Sequence, residues 1–162
     1  MLSLVLLSCL LVAGNAFARS TDRDQPLEVY GSGLDGPISQ NGDTLLTDVV
    51  ITQGSLRIEA RRATVSRDDG EVTRVVLEGA PASLQQENDD GVLMKAQAGR
   101  IHYDTTSETV VLSGAVRIDQ GRDTFRGERV RYDTRNGRIT GDGGDGGRIH
   151  LTIQPKSRAA AD

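Results

Sequence analysis

The sequence predicts an all-β protein, an array of stacked and repeated strand pairs. Three observations predict it. A six-residue phrase (small residue, any residue, Arg, apolar, polar, apolar) occurs as Ala60-Arg61-Arg62-Ala63-Thr64-Val65, Ala98-Gly99-Arg100-Ile101-His102-Tyr103 and Gly127-Glu128-Arg129-Val130-Arg131-Tyr132. The upstream arms repeat too, Leu45 to Gly54 aligning without a gap on Leu112 to Gly121. No window shows a sustained helical period, whereas segments rich in Val, Ile and Thr alternate apolar and polar residues. A repeat that cannot bury its apolar face alone stacks on its neighbours, so the chain reads as a β-array, not a compact enzyme.

The elements follow in chain order. Residues 1–18 are expected to be a cleaved signal peptide, an apolar run closed by Ala16-Phe17-Ala18 in the small-x-small form of a signal-peptidase site. The run is too short and too interrupted by Ser3, Ser8, Gly14 and Asn15 for a membrane span of about 20 apolar residues. Cys9, the only cysteine, falls inside it, so the exported chain has no thiol for a disulfide, a metal or catalysis. Residues 19–26 are polar and read as a flexible leader. Leu27-Glu28-Val29 is the first alternating segment, followed by breaks at Gly31, Gly33, Gly36 and Pro37.

From Leu45 to Ile139, segments of strand length are bounded by turn clusters at Gln53-Gly54, Asp68-Asp69-Gly70, Asn88 to Gly91, Thr105 to Ser107, Gln120-Gly121 and Asn136-Gly137. The Gly-rich run 141–147 reads as a flexible loop. Its Asp142 and Asp145 resemble a calcium-binding repeat only faintly, because a single copy lacks its apolar anchor. Ile149 to Ile153 then alternates as a terminal strand, stopping at Pro155, and 154–162 is expected to be a disordered tail.

Alternation assigns faces. One wall receives Leu45, Val49, Ile51, Ile58, Val65, Val75, Leu77, Ile101, Tyr103, Val110, Leu112, Val116, Ile118, Phe125, Val130, Tyr132 and Ile139. The other receives Arg57, Glu59, Arg62, Thr64, Arg100, His102, Arg117, Asp119, Arg126, Arg129 and Arg131. Ala60, Ala98 and Gly127 recur where each inward run begins, which suits a bend or a close approach of two sheets. The apolar wall is mostly Val and Ile with no Trp in the chain, a thin lining compatible with a trough left open for a guest.

Composition excludes several functions. With 19 Lys and Arg against 23 Asp and Glu, the net charge of −4 argues against nucleic acid as a partner. His102 and His150 fall at outward positions outside any metal-ligand spacing, so no metal or cofactor is expected. No nucleophile elbow, phosphate loop or dinucleotide fingerprint appears, and the acidic residues sit mostly in turns, so no enzyme is expected. Sugar platforms need exposed Trp and Tyr, whereas Tyr103 and Tyr132 lie on the apolar wall. An apolar guest or another protein remains.

Gln25-Pro26-Leu27-Glu28-Val29, the phrase Asp48 to Ala60 with its V-x-I-x-Q-G-x-x-x-I-x-A pattern, and Phe125 to Asp133 together resemble the OstA-like family of periplasmic lipopolysaccharide transport proteins. The likeness covers residues 25–140. A Gly-Asn-Val turn usual in the family is Thr47-Asp48-Val49 here, and the 31–37 and 141–147 stretches depart from the pattern.

The resemblance implies a twisted, partly open antiparallel β-jelly roll over residues 27–153, exported to the periplasm. It implies a lipid-binding inner face drawn from Leu45, Val49, Ile51, Ile58, Val65, Leu77, Ile101, Tyr103, Leu112, Val116, Ile118, Phe125, Val130 and Tyr132. It also implies lipopolysaccharide acyl chains as cargo, and head-to-tail self-association through edges at Leu27, Glu28 and Val29 and at Ile149, His150, Leu151, Thr152 and Ile153. Implied partners are an LptC-like inner-membrane anchor and an outer-membrane translocon. The alternative is a structural β-sandwich that binds only protein partners through its edges.

Overall fold

A computed structural model describes residues 19–133 and 138–154. The expected signal peptide and the tail beyond Gln154 lie outside those residues, as do Asn136 and Gly137. The strands are β1 Glu28–Tyr30, β2 Gly33–Asp35, β3 Gly42–Gln53, β4 Leu56–Asp68, β5 Glu71–Glu87, β6 Leu93–Asp104, β7 Thr109–Gln120, β8 Asp123–Asp133, β9 Arg138–Asp142 and β10 His150–Thr152. They form one antiparallel sheet in the order β1-β3-β4-β5-β6-β7-β8-β10, with β2 also on β3 and β9 also on β8. Neighbours in sequence are neighbours in space, as expected of stacked hairpins.

Turn chemistry sets the hairpins. Asp69 and Gly70 both hold positive φ, 48° and 78°, the two-residue geometry whose twist matches the flanking strands. Asn88 closes the β5–β6 connection, its side-chain oxygen accepting the amides of Asp90 and Val92 at 3.0 and 2.8 Å. Asp104 does the same before β7, accepting the Ser107 amide at 2.7 Å.

β3 to β8 run 11 to 17 residues, longer than an ordinary strand, and each is interrupted near its middle. Register shifts fall between Glu59 and Arg62, Glu78 and Ala82, Gln97 and Arg100, and Ser113 and Val116. Ala60, Ala98 and Gly127 border these jogs, so the recurring small residues mark bends. Each jog divides its strand into a lower half, ending in the turns after Gln53, Glu87 and Gln120, and an upper half, ending in the turns after Asp68 and Asp104. β1 and β10 edge the lower half; β2 and β9 edge the upper half.

Among the described residues the only helix is a 3-10 turn, Ser20–Asp24, so no second layer covers the sheet. Yet Val49, Val116 and Val130 are only 1–2% exposed. A single sheet reaches such burial only by folding on itself, and the bent strands close the lower half over the upper half. The result is the twisted antiparallel jelly roll expected from the sequence.

Candidate functional site

The site is the interior of the folded sheet. Residues opposite one another on neighbouring strands share a face, and tracing those pairs reveals continuous rows. In the lower half one row runs Val29, Ile51, Ile58, Leu84, Ala96, Ile118, Phe125, Leu151, one residue per strand and apolar throughout. In the upper half a second runs Leu34, Leu46, Ala63, Leu77, Ile101, Leu112, Val130, Gly141. A third follows with Val65, Val75, Tyr103, Val110, Tyr132 and Ile139.

Ile51, Ile58, Leu77, Ile101, Tyr103, Leu112 and Val130 from these rows form one buried cluster with Val49 and Val116, which pair with Ala60 and Gly127 at the bends, and Val65, Ile118 and Phe125 pack partly buried against it. Tyr132 is half-buried beside them, and that burial raises its phenol pKa above the ordinary value. Leu45 is the exception. It pairs with Thr64 on the outward face, while Leu46 and Thr44 take the inward positions. Asp48, in left-handed backbone, turns β3 over, so alternation counted back from Val49 fails by one residue.

The expectation of an unfilled middle is also corrected. Ala60, Ala63, Ala82, Ala96 and Ala98 are buried in β4 to β6, and these small side chains let the two halves meet. Over the central strands the interior is therefore packed shut. At both edges it opens: Val29 is 46% exposed, Leu151 57% and Ile139 47%. Sequence reading placed Ala60 and Ala98 at a bend or close approach of sheets but missed Ala63, Ala82 and Ala96, because a lone Ala carries little periodic signal. It missed Leu84 because the β5 register shift breaks alternation. Leu46 was legible only by allowing a residue's slip at Asp48.

Residues 19–26, expected to be a flexible leader, are instead built into the fold. Asp22 is 2% exposed and its carboxylate accepts the Ser55 amide at 3.0 Å, the Ser55 hydroxyl, and Gln86 Nε2 at 3.3 Å. Gln53 Nε2 donates to the Gln25 carbonyl at 3.1 Å, and Arg19 pairs with Glu87 at 3.2 Å. The leader thus caps the lower lip of the interior at the N-terminal strands. Gly54 allows this, since a Cβ there would strike the Asp22 carboxylate.

The two edges are short. In β1, Glu28 and Tyr30 face outward; the Tyr30 hydroxyl donates to Glu28 at 3.0 Å, and that bond to a carboxylate raises the phenol pKa. Leu27 precedes the strand and packs on the core rather than presenting an edge. At the other side β10 holds His150, Leu151 and Thr152, with Ile149 and Ile153 exposed beside it but outside the strand.

The outward face is wet. Arg57–Glu59, Arg100–Glu78 and Arg117–Asp119 pair at 2.7, 3.0 and 2.7 Å, all substantially exposed and so contributing little stability. The Arg117 guanidinium and the Thr124 hydroxyl hold the Asp119 carboxyl below its ordinary pKa. His102 lies on this face, half-buried between Val76 and Val111. Asp142 accepts the Gly144 amide at 3.1 Å, an ordinary turn bond. Among the described residues no cluster of metal-ligating side chains forms, and no helix is long and apolar enough to cross a membrane.

Comparison with known proteins places these features. Residues 38–138 match the family model described as the LptA/(LptD N-terminal domain) LPS transport protein. The chain is 30% identical to the lipopolysaccharide export system protein LptA of Escherichia coli strain K12, covering 95% of this chain and 85% of that protein. It is 33% identical to the lipopolysaccharide export system protein LptH of Pseudomonas aeruginosa, covering 94% and 93%. The crystal structure of Pseudomonas aeruginosa LptH, described as the LptA homologous periplasmic component of the lipopolysaccharide transport device, superposes with a TM-score of 0.69. That match covers 83% of this chain and 99% of that one at 30% identity.

Proposed function

The chain belongs to the LptA/LptH family of lipopolysaccharide export proteins, and from that premise we propose that its interior carries acyl chains across the periplasm. As an LptA homologue it is a component of a transport system, not an enzyme. The observation that carries the reading is the apolar lower row, which crosses the sheet without a polar break and ends in exposed Val29 and Leu151.

Each acyl methylene left in water costs about 0.8 kcal/mol, so a multi-chain lipid meets a barrier on the order of tens of kcal/mol. An apolar track removes most of that cost while the sugar headgroup stays in water. Branched aliphatics suit a track, because they hold chains without directional bonds that would stall movement. The packed centre means that loading must part the two halves, exchanging Val, Ile and Ala contacts for contacts with lipid. Both states keep apolar surface from water, so the exchange costs less than exposing either partner alone.

Continuity beyond one chain comes from the edges. Among the described residues β1 and β10 have no strand on their outer sides, and pairing the β10 edge of one copy with the β1 edge of the next is antiparallel β-augmentation. It would set Leu151 beside Val29 of the following copy and extend the row. The same edges would receive an LptC-like inner-membrane anchor and an outer-membrane translocon.

A protein-only module remains the rival, favoured by the burial of the central lining. Photo-crosslinking residues at Ile51, Val116 and Ile118 decide between them. Lipopolysaccharide adducts in cells are the expected result; none at any of the three, in folded protein, overturns the lipid reading.

A further inference from the structure

Resting on that reading of the interior as an acyl-chain groove, we propose that the Phe125 ring is a gate at the groove's C-terminal end. It stands between the closed lining of β7 and β8 and the open strip at β9 and β10.

Phe125 belongs to the lower half, paired with Ile118 on one side and Leu151 on the other. Its ring nevertheless lies against Gly141, which pairs with Val130 in the upper half. A methyl group on Gly141 would come within 2.8 Å of Phe125 Cζ, and one on Gly127, at the bend, within 3.0 Å. The ring therefore spans the gap between the halves where the opposing positions offer no side chains. Neither glycine has left-handed backbone, so no turn requires glycine there. The missing side chain leaves room for the ring.

Exposure changes across this residue. Val116 and Val130 are buried before it, while Leu151 and Ile139 lie open beyond it. A chain moving along the lower row in either direction must pass the ring. The chemistry suits a movable barrier: Phe turns about two side-chain torsions, makes no hydrogen bond that would latch it, and is only partly buried.

The test places a photo-crosslinking residue at Ile118, before the ring, or at Leu151, beyond it, in cells exporting lipopolysaccharide through this protein. Each is combined with Phe125→Ala, which removes the ring, or Gly141→Ala, which keeps the ring but denies it its seat. Both changes are expected to shift the ratio of Leu151 to Ile118 adducts several-fold, upward if chains arrive from β7 and downward if they enter over β10, with the larger shift in Phe125→Ala. Gly141→Ala keeps the test informative should Phe125→Ala fail to fold. Adducts at Ile118 with an unchanged ratio in folded Gly141→Ala overturn the gate and leave the groove standing. No adduct at Ile118 in the otherwise unaltered protein overturns the gate, and none at Ile51 or Val116 either overturns the acyl-chain reading with it.

Discussion

Asp48 and Ala115 hold the same left-handed backbone, φ 48° and 50°, at corresponding points of β3 and β7. Both sit just before an inward valine, Val49 and Val116, where the strand turns into its lower half. Asp48 has a local partner, accepting the Ser32 hydroxyl at 2.7 Å. Ala115 has only its amide bond to Glu128 at 3.3 Å and nothing on its side chain to favour the conformation. A left-handed L-residue costs about 1–2 kcal/mol, which glycine avoids at some cost in chain entropy. Ala115→Gly should therefore stabilise the fold by about 0.5–1 kcal/mol. A urea midpoint that falls instead would mean β7 does not jog in this way.

The same pair explains what the sequence could and could not disclose. Sixteen of the seventeen residues that alternation places on the inner wall do face inward, because alternation holds within each half-strand. Leu45 does not, because aligning it on Leu112 without a gap ignores a difference at the jog. β7 spends two left-handed residues there, Gly114 and Ala115, where β3 spends only Asp48, so Leu46 is the counterpart of Leu112. The closed centre was illegible for a different reason. Whether thin walls stand apart or meet depends on how sharply each strand bends, and side-chain size along one strand does not encode that angle. The ordered leader depends on a single buried carboxylate meeting a turn more than thirty residues away.

Asp22 is a second point where one residue governs a segment. Removing its carboxylate leaves the Ser55 amide and the Gln86 side chain without that acceptor, at a cost of about 1–3 kcal/mol for each group left buried. Asp22→Ala should destabilise the fold by about 2 kcal/mol and release residues 19–25 to proteolysis and fast hydrogen exchange. Gly54→Ala should do the same from the other side, since its Cβ collides with Asp22 and its φ is +57°. Protection of the leader retained in both variants would refute the cap.

Asp104 supplies a pH dependence. The Ser107 amide, and after it the Ser107 hydroxyl and His102, hold its carboxyl below the ordinary value of 3.8 despite some desolvation. A depressed carboxylate pKa contributes stability above the unfolded value and loses it as pH falls through the folded value. Asp104→Asn keeps an acceptor but no charge. Its stability deficit relative to the parent should be constant near neutrality and shrink as pH drops below about 4. Urea denaturation at pH 7 and pH 3 measures it; a deficit that grows in acid contradicts the assignment.

Leu151 tests whether the C-terminal edge docks a second copy. β10 is only three residues long and pairs with β8 at the rim of the sheet, so the buried cluster survives its disturbance. Proline there has no amide hydrogen and cannot complete a ladder with an incoming strand. Leu151→Pro should leave the melting temperature little changed and give monomers where the parent forms oligomers, read by light scattering. Leu151→Ala separates the two contributions: it keeps the backbone donor and trims only the end of the apolar row. If the joint is chiefly a backbone ladder, Leu151→Ala weakens assembly without abolishing it. If both variants assemble as well as the parent, the joint does not use β10, and the row stops at Leu151 instead of continuing to Val29 of the next copy.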